Sequence, residues 1–535
     1  MEFGNRNEKW KYEKDGLEIF KDIEALSTKE FKEIDPGDVE RLKWAGIYAQ
    51  RPRDGHFLVR VKLPSGQVTA PQAKVLAALA QEYGKGEIQI TIRQAVQIHN
   101  ITLKDALDIL PRLQAVGLSS VEACGDVPRT ILGNPLAGID AEELLDTRPI
   151  VEEVFRFFLG NPDFSNLPRK FKISISANPH DAGFARINDL AFVPARLDGE
   201  VGFHAYIGGG LSAEPHLAQK LPFFIRPEEV LKVAKADATL FRDEGYREKR
   251  SHCRLKFLVE DLGIAKAAEK IEAQTGELRR GGEEITKDWN YGRFYGVHAQ
   301  KQAGLVYVGL HLPNGHIQAK DLARFAELAE TFGQGRLRTT NSQNLILLDI
   351  PKEKAAELTA EEIFTRYPLA PGFFTGYASS CTGNAYCNFA PIETKHRLQK
   401  LTTAMEKTFP EIGLPLRINL TGCSHACAQP QLADIGLTGG RAKVGENIID
   451  VYTLQLGGHL GPNAVFAQKL EGKIPDDQLD ACIRALIAKY LELRQAGESF
   501  HQVISRTDIS VWQEIVRNYA LSKKNYCNST ENSLY

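Results

Sequence analysis

The stretch Gly46–Ile101, "GIYAQRPRDGHFLVRVKLPSGQVTAPQAKVLAALAQEYGKGEIQITIRQAVQIHNI", decides the fold because it returns at Gly296–Ile350 as "GVHAQKQAGLVYVGLHLPNGHIQAKDLARFAELAETFGQGRLRTTNSQNLILLDI". Pro64 lies over Pro313 and Gln94 over Gln343, each pair 249 positions apart. A repeat of this length is a supersecondary unit used twice. Each copy reads as a β-rich segment, an "LP-x-G" turn, an amphipathic run with apolar residues at helical spacing ("AKVLAALAQEYG", "ARFAELAETFG") and a further strand. A longer α/β segment follows each copy, and "KFKISIS…INDLAFVPA" from Lys170 is faintly echoed by "LRINLTG…LADIGLTGG" from Leu416. The expected class is α+β, a duplicated pseudo-two-fold body whose halves are each a small piece followed by a larger one. The boundaries expected are an N-terminal arm over 1–39, the first small half-domain over 40–110, a larger domain over 111–275, a linker and second half-domain over 276–352, a second larger domain over 353–520 and a tail over 521–535.

At 535 residues the chain exceeds what one core supports. Apolar residues at 43% and charged residues at 25% are ordinary globular values, and no run approaches the ~20 apolar residues of a membrane span. The opening "MEFGNRNEKWKYEKDGLEIF" has neither an apolar h-region nor Arg/Ser-rich transit character, so a cytoplasmic, bacterial protein is expected. With 66 Lys and Arg against 68 Asp and Glu the net charge is −2, which gives no bulk support to nucleic-acid binding. A charge-driven partner must meet a local patch.

Four of the eight cysteines fall into two tight pairs, Cys381 with Cys387 in "SSCTGNAYCNFA" and Cys423 with Cys427 in "TGCSHACAQP". In a reducing compartment such pairs bind metal or act catalytically more often than they form disulfides. Structural zinc prefers cysteines two to four residues apart, and the gap after Cys381 is wide for it. An iron–sulfur cubane asks only for four converging thiolates, with Gly383, Gly422 and small neighbours permitting close approach. Spacing leaves cluster, zinc and inert thiols open. Cys253, Cys482 and Cys527 read as buried or inert thiols.

The run "CTGNAYC…TGCSHACAQPQLADIG", with the duplicated "TxRQ" and "TxxQN" strands, resembles the ferredoxin-dependent nitrite and sulfite reductase family from about Arg41 to Asp508. The resemblance implies two ferredoxin-like half-domains packed together and two larger α/β domains that carry sirohaem and a [4Fe-4S] cluster. It puts the cluster on Cys381, Cys387, Cys423 and Cys427, and makes Cys427 the bridging proximal ligand of the sirohaem iron. On the substrate side it implies Arg93, Arg129, Lys170 and Lys172, with Arg60 nearby, and it brings Gly208, Gly209 and Gly210, and Gln343 and Asn344, to the macrocycle. Arginine offers an oxyanion a planar fork, and lysine is the readier proton donor. Ser342 stands where the first copy has Arg93, the asymmetry expected after duplication.

The resemblance is closest to bacterial ferredoxin-type sulfite reductases. The lysine pair Lys170 and Lys172 suits the more highly charged sulfite, and Tyr48 and Cys124 fall where some sulfite reductases carry a covalently joined Tyr and Cys beside the haem. "CTGNAYCNF" leans the other way, toward nitrite reductases. Six-electron reduction of sulfite to sulfide is therefore the main expectation and reduction of nitrite to ammonia the alternative; a non-catalytic sirohaem, iron–sulfur or zinc protein is the reading of another class. No GxGxxG stands between a strand and a helix at dinucleotide spacing, so electrons must come from another protein. Ferredoxin is the donor implied, on a basic patch such as Arg247–Lys256, Lys395–Lys400 or Arg441–Lys443, with the enzyme a monomer.

Overall fold

The computed structural model describes residues 4–180, 183–288, 291–522 and 526–527. The tail beyond 527 and the side chain of Cys527 lie outside the described residues. Two compact units result, one formed by Met1–Gly210 with His216–Leu369 and the other by Leu211–Pro215 with Ala370–Tyr535.

In the first unit the repeat folds as two five-stranded sheets that exchange a strand. One sheet runs Ile47–Ala49, Phe57–Val61, Val96–Ile101, Glu87–Ile90 and then His316–Gln318 of the second copy. The other runs Gly296–Ala299, Leu305–Leu310, Leu345–Pro351, Arg336–Thr339 and then Gln67–Thr69 of the first. The registers match: Gln67 faces Arg338 as His316 faces Gln89. The "LP-x-G" turn launches the exchanged strand, and both of its last residues hold left-handed backbone, Ser65 and Gly66 at φ 51° and 70°, Asn314 and Gly315 at 54° and 68°. Only glycine fits the last position, since a Cβ on Gly66 would stand 2.0 Å from the Thr339 carbonyl oxygen and one on Gly315 2.7 Å from that of Ile90.

Helices Ala70–Tyr83 and Ala319–Phe332 pack on each other across the exchange, burying Leu76, Leu79 and Ala80 and their counterparts Phe325, Leu328 and Ala329. Thr69 and Gln72 cap the first of these reciprocally. The side-chain amides of Gln94 and Gln343 tie the copies together, donating to the carbonyls of Thr339 and Ile90 at 3.3 and 3.0 Å.

The rest of the first unit is a sheet ordered Gln219–Ile225, Glu200–Ile207, Leu190–Leu197, Ile173–Ile175 and Leu132–Gly133, covered by helices that include Arg148–Phe158 and Val230–Glu244. The second unit has its own sheet, Ser379–Ser380, Ile418–Thr421, Ile435–Val444, Asn447–Leu456 and Gln468–Lys469, and a separate core against Lys395–Thr408 and Asp476–Leu493. The faint echo in the sequence is structural. Lys172 N–H donates to Asp189 at 2.9 Å, and Arg417 N–H to Asp434 at 2.8 Å. Gly208 and Gly209 donate to the carbonyls of Asp189 and Asn188, as Gly457 and Gly458 do to those of Asp434 and Ala433.

Candidate functional site

In the second unit two loops bring the four paired cysteines together. Cys381 N–H donates to the Leu420 carbonyl at 3.2 Å, and Cys387 N–H to that of Gly383 at 2.9 Å. Thr394 closes the first loop by donating to the Cys381 carbonyl at 2.6 Å. Gly383 has φ 68°, and a Cβ there would stand 2.6 Å from Thr394 Oγ1. Backbone donors already point at sulfur: Gly422 N–H at Cys381 Sγ, 3.2 Å, and Phe389 N–H at Cys387 Sγ, 3.4 Å.

Cys381, Cys387 and Cys423 are partly buried, and Cys427 is exposed on this unit. Burial, then the nearby Cys427, Cys387 and Cys381, push the Cys423 thiol up to about 12. Four sulfurs that repel as thiolates need a cationic body to hold them ionised. Among the described residues no three His, Cys, Asp or Glu side chains close around a point that one metal ion could fill. A single zinc would draw thiolates to ~2.3 Å from itself, and four thiols on two loops can equally take a larger multi-iron body.

In the first unit the sequence-predicted basic residues gather around one short ladder. Phe171 N–H donates to the Val127 carbonyl at 3.0 Å and its carbonyl accepts Arg129 N–H at 2.8 Å, which sets Arg129 beside Lys170 and Lys172. Arg60 and Arg129 both reach the Ala123 carbonyl, at 3.4 and 3.0 Å. Arg93 leaves the loop after Glu87–Ile90 and donates to Asn188 and to the Thr130 carbonyl, each at 2.8 Å.

Arg60, Arg93 and Arg129 are half-buried, and among the described residues none has a carboxylate within ion-pair distance. Nε of Arg60 and of Arg93 is buried with no acceptor. Burial first, then repulsion from Arg129, brings Arg93 down to about 9, against partial relief from Asp189. Burial would raise the Cys124 thiol, but Arg60 and Arg129 hold it below its ordinary value. Tyr48 lies under the ammonium of Lys43, 4.9 Å from its ring centre. Concentrated guanidinium charge of this kind can attract an anion.

The structure adds residues that sequence reasoning missed. Asp189, fully buried, accepts Lys172 N–H and a fork from Arg254 at 2.8 and 2.9 Å. A Cβ on Gly210 would come within 3.2 Å of that guanidinium. The available signal was the Asp in "INDL" recurring in "LADI". Asp126 gathers Arg250, Arg169 and Lys11. Arg247, Arg250 and Arg254 of the basic run Arg247–Lys256 are thus spent on Glu8, Asp126 and Asp189 and form no solvated docking patch. Gln343 and Asn344 are buried, Asn344 donating to Tyr295 Oη at 2.8 Å. Cys253 and Cys482 are buried. No helix of the described residues is long and apolar enough to cross a membrane.

The description "nitrite and sulphite reductase 4Fe-4S domain" matches residues 124–278 and 376–524, and "nitrite/sulfite reductase ferredoxin-like half domain" matches 48–116 and 298–362. A ferredoxin–nitrite reductase of Synechococcus elongatus is 39% identical over 493 residues, covering 90% of this chain and 96% of its own. The chloroplastic ferredoxin–nitrite reductase of Arabidopsis thaliana is 37% identical, covering 86% and 82%. The assimilatory ferredoxin-dependent nitrite reductase of Haloferax mediterranei is 32% identical, covering 93% and 91%. The solved structure of the Mycobacterium tuberculosis NirA protein superposes with a TM-score of 0.90 at 33% identity, covering 96% and 98%. These relatives overturn sulfite as the main substrate expectation. The lysine pair reports the sign of the charge that a ligand must carry and does not by itself distinguish two small oxyanions.

Proposed function

The chain belongs to the nitrite and sulphite reductase family as an enzyme with an iron–sulfur cofactor, and we propose that it reduces nitrite to ammonia with electrons from ferredoxin. The observation that carries the reading is the trio Arg60, Arg93 and Arg129, half-buried without a carboxylate, in a chain aligned nearly end to end with ferredoxin–nitrite reductases.

The residues fit the groups this reading requires. The four thiols, with two backbone N–H groups aimed at sulfur, suit a [4Fe-4S] cluster. Arg60, with an orphaned Nε and no carboxylate within ion-pair distance among the described residues, suits a macrocycle rimmed with carboxylates, which favours sirohaem. Cys427, the exposed thiol, would be the cluster ligand that also serves the sirohaem iron. When bound, the two cofactors would supply the stored electrons that no side chain provides.

The chain's own residues do the rest. Arg93 and Arg129 draw in the anion and hold its oxygens, and their mutual repulsion is relieved by the charge they receive. Each nitrite taken to ammonium consumes six electrons and eight protons and releases two waters, so donors must stand at the oxygens that leave. Lys170 and Lys172 are those donors, and the Asp189 anchor on Lys172 N–H fixes the start of its side chain. Arg254 balances the Asp189 charge, so the anchor does not repel the anion.

The test is steady-state turnover of purified, cofactor-loaded protein with reduced ferredoxin, following nitrite loss and ammonium formation. Stoichiometric ammonium, lost in Arg129→Ala through a raised KM, is expected. Loaded protein that leaves nitrite unreduced overturns the reading.

A further inference from the structure

Lys62 and Glu122 are both fully buried, at 3% and 0% exposure, and neither enters the chemistry above. Lys62 lies on the strand-to-turn run that carries Arg60, and Glu122 two residues before Cys124. Among the described residues the Lys62 ammonium donates to the Pro128 carbonyl alone, at 3.4 Å, and lies 5.8 Å from the Phe155 ring centre. Glu122 accepts one donor, Gly160 N–H at 2.8 Å, and its other oxygen is buried without a partner. Among the described residues they form no ion pair with any group. Glu122 also sits at φ 56°, a left-handed backbone costly for a non-glycine residue, which the surrounding structure maintains.

Two buried, under-partnered ionisable groups exchange protons easily with changing pH. The charges facing Lys62 are Glu122, Arg129 and Cys124; those facing Glu122 are Lys62 and Asp15. Burial lowers Lys62 to about 8, and burial raises Glu122 to about 7.

We propose that the Lys62–Glu122 pair is a proton-holding element behind Arg129 that sets the pocket's positive charge and with it the affinity for nitrite. The inference rests on the nitrite reading. Below neutrality the pair holds both protons and carries a net positive charge; at neutrality it loses the carboxyl proton, and at higher pH the ammonium proton. Anion affinity falls in that direction, and the two residues act through Arg129 as positioning residues. A unit charge across a screened interior changes affinity by about five-fold.

The experiment is the pH profile of KM and kcat for nitrite in the loaded protein, with Glu122→Gln, Lys62→Met and Lys62→Arg. Wild-type KM should rise several-fold between pH 6 and pH 9. Glu122→Gln should lose the transition near neutrality, Lys62→Met should raise KM about five-fold at pH 6 with kcat held, and Lys62→Arg should keep KM low at high pH. A second readout needs no substrate: the infrared carbonyl band of a protonated buried carboxyl, absent in Glu122→Gln, should disappear as pH rises through neutrality. Turnover with superimposable KM profiles overturns the inference and leaves the nitrite reading standing. Protein that turns over no nitrite strikes that reading, and a carboxyl band unchanged from pH 6 to pH 9 then overturns the pair as well.

Discussion

Asp189→Asn separates scaffold from chemistry because the fold supplies its own control in Asp434→Asn. Asp189 is fully buried, and all hydrogen bonds of the Arg254 guanidinium among the described residues go to it, at 2.8, 2.9 and 3.2 Å. Asparagine keeps one oxygen for Lys172 N–H but turns an amide toward Arg254 and leaves that cation buried and unpaired. Removing one partner of such a pair costs about 3–5 kcal/mol. In the counterpart, Arg417 donates from Nε to Asp434 at 3.2 Å and also holds the Gly458 carbonyl at 2.9 Å, so Asp434→Asn should cost about 2 kcal/mol. A chain of two units is poorly served by a single melting temperature. Hydrogen–deuterium exchange reads each sheet separately. The strand Leu190–Leu197 should exchange about 100-fold or more faster in Asp189→Asn, and Ile435–Val444 about 30-fold faster in Asp434→Asn, each without effect on the other sheet. Equal acceleration in the two variants, or none in Asp189→Asn, would refute the claim that Asp189 is the sole counter-charge of Arg254.

Cys423→Ser removes one of four converging thiolates, so iron and acid-labile sulfide should fall to background while far-UV circular dichroism is kept; a full iron complement would remove Cys423 from the ligand set. Gly66→Ala puts a Cβ 2.0 Å from the Thr339 carbonyl at φ 70° and should destabilise by about 2 kcal/mol or more, measured as faster exchange in Gln67–Thr69 and Arg336–Thr339; Gly315→Ala, at 2.7 Å from Ile90, should do less.

The duplication was legible because Pro64 over Pro313 and Gln94 over Gln343 preserve spacing through a whole unit. The exchange of strands was not. Periodicity says that Gln67–Thr69 is a strand, but a strand carries no mark of which copy it pairs with, and register is set by tertiary contacts. The four thiols were visible as two short-range pairs. Arg254 and Asp189 were hidden because a buried ion pair joins residues far apart in sequence whose types are common on any surface. Lys62 and Glu122 were hidden for the same reason: "VKLP" and "VEAC" look ordinary until both side chains are found inside. The substrate failed differently. Its expectation leaned on a lysine count, and the net charge of a pocket constrains the sign of a ligand far more tightly than its identity.

The two larger domains keep one set of backbone bonds while their side chains diverge. Lys172 and Arg417 each donate N–H to an aspartate, and each aspartate carbonyl accepts the N–H of the glycine just past the second strand after it. A position under that constraint can change its side chain without losing the fold, because the conserved contact is made by the main chain. Hence one copy could acquire Arg129, Lys170 and Lys172 on its loops and the other its four cysteines at no cost to the sheet beneath. It also follows that the aspartates are not free to vary. Each holds a backbone donor that would otherwise be buried unpaired, and that cost falls on the fold before it reaches the chemistry.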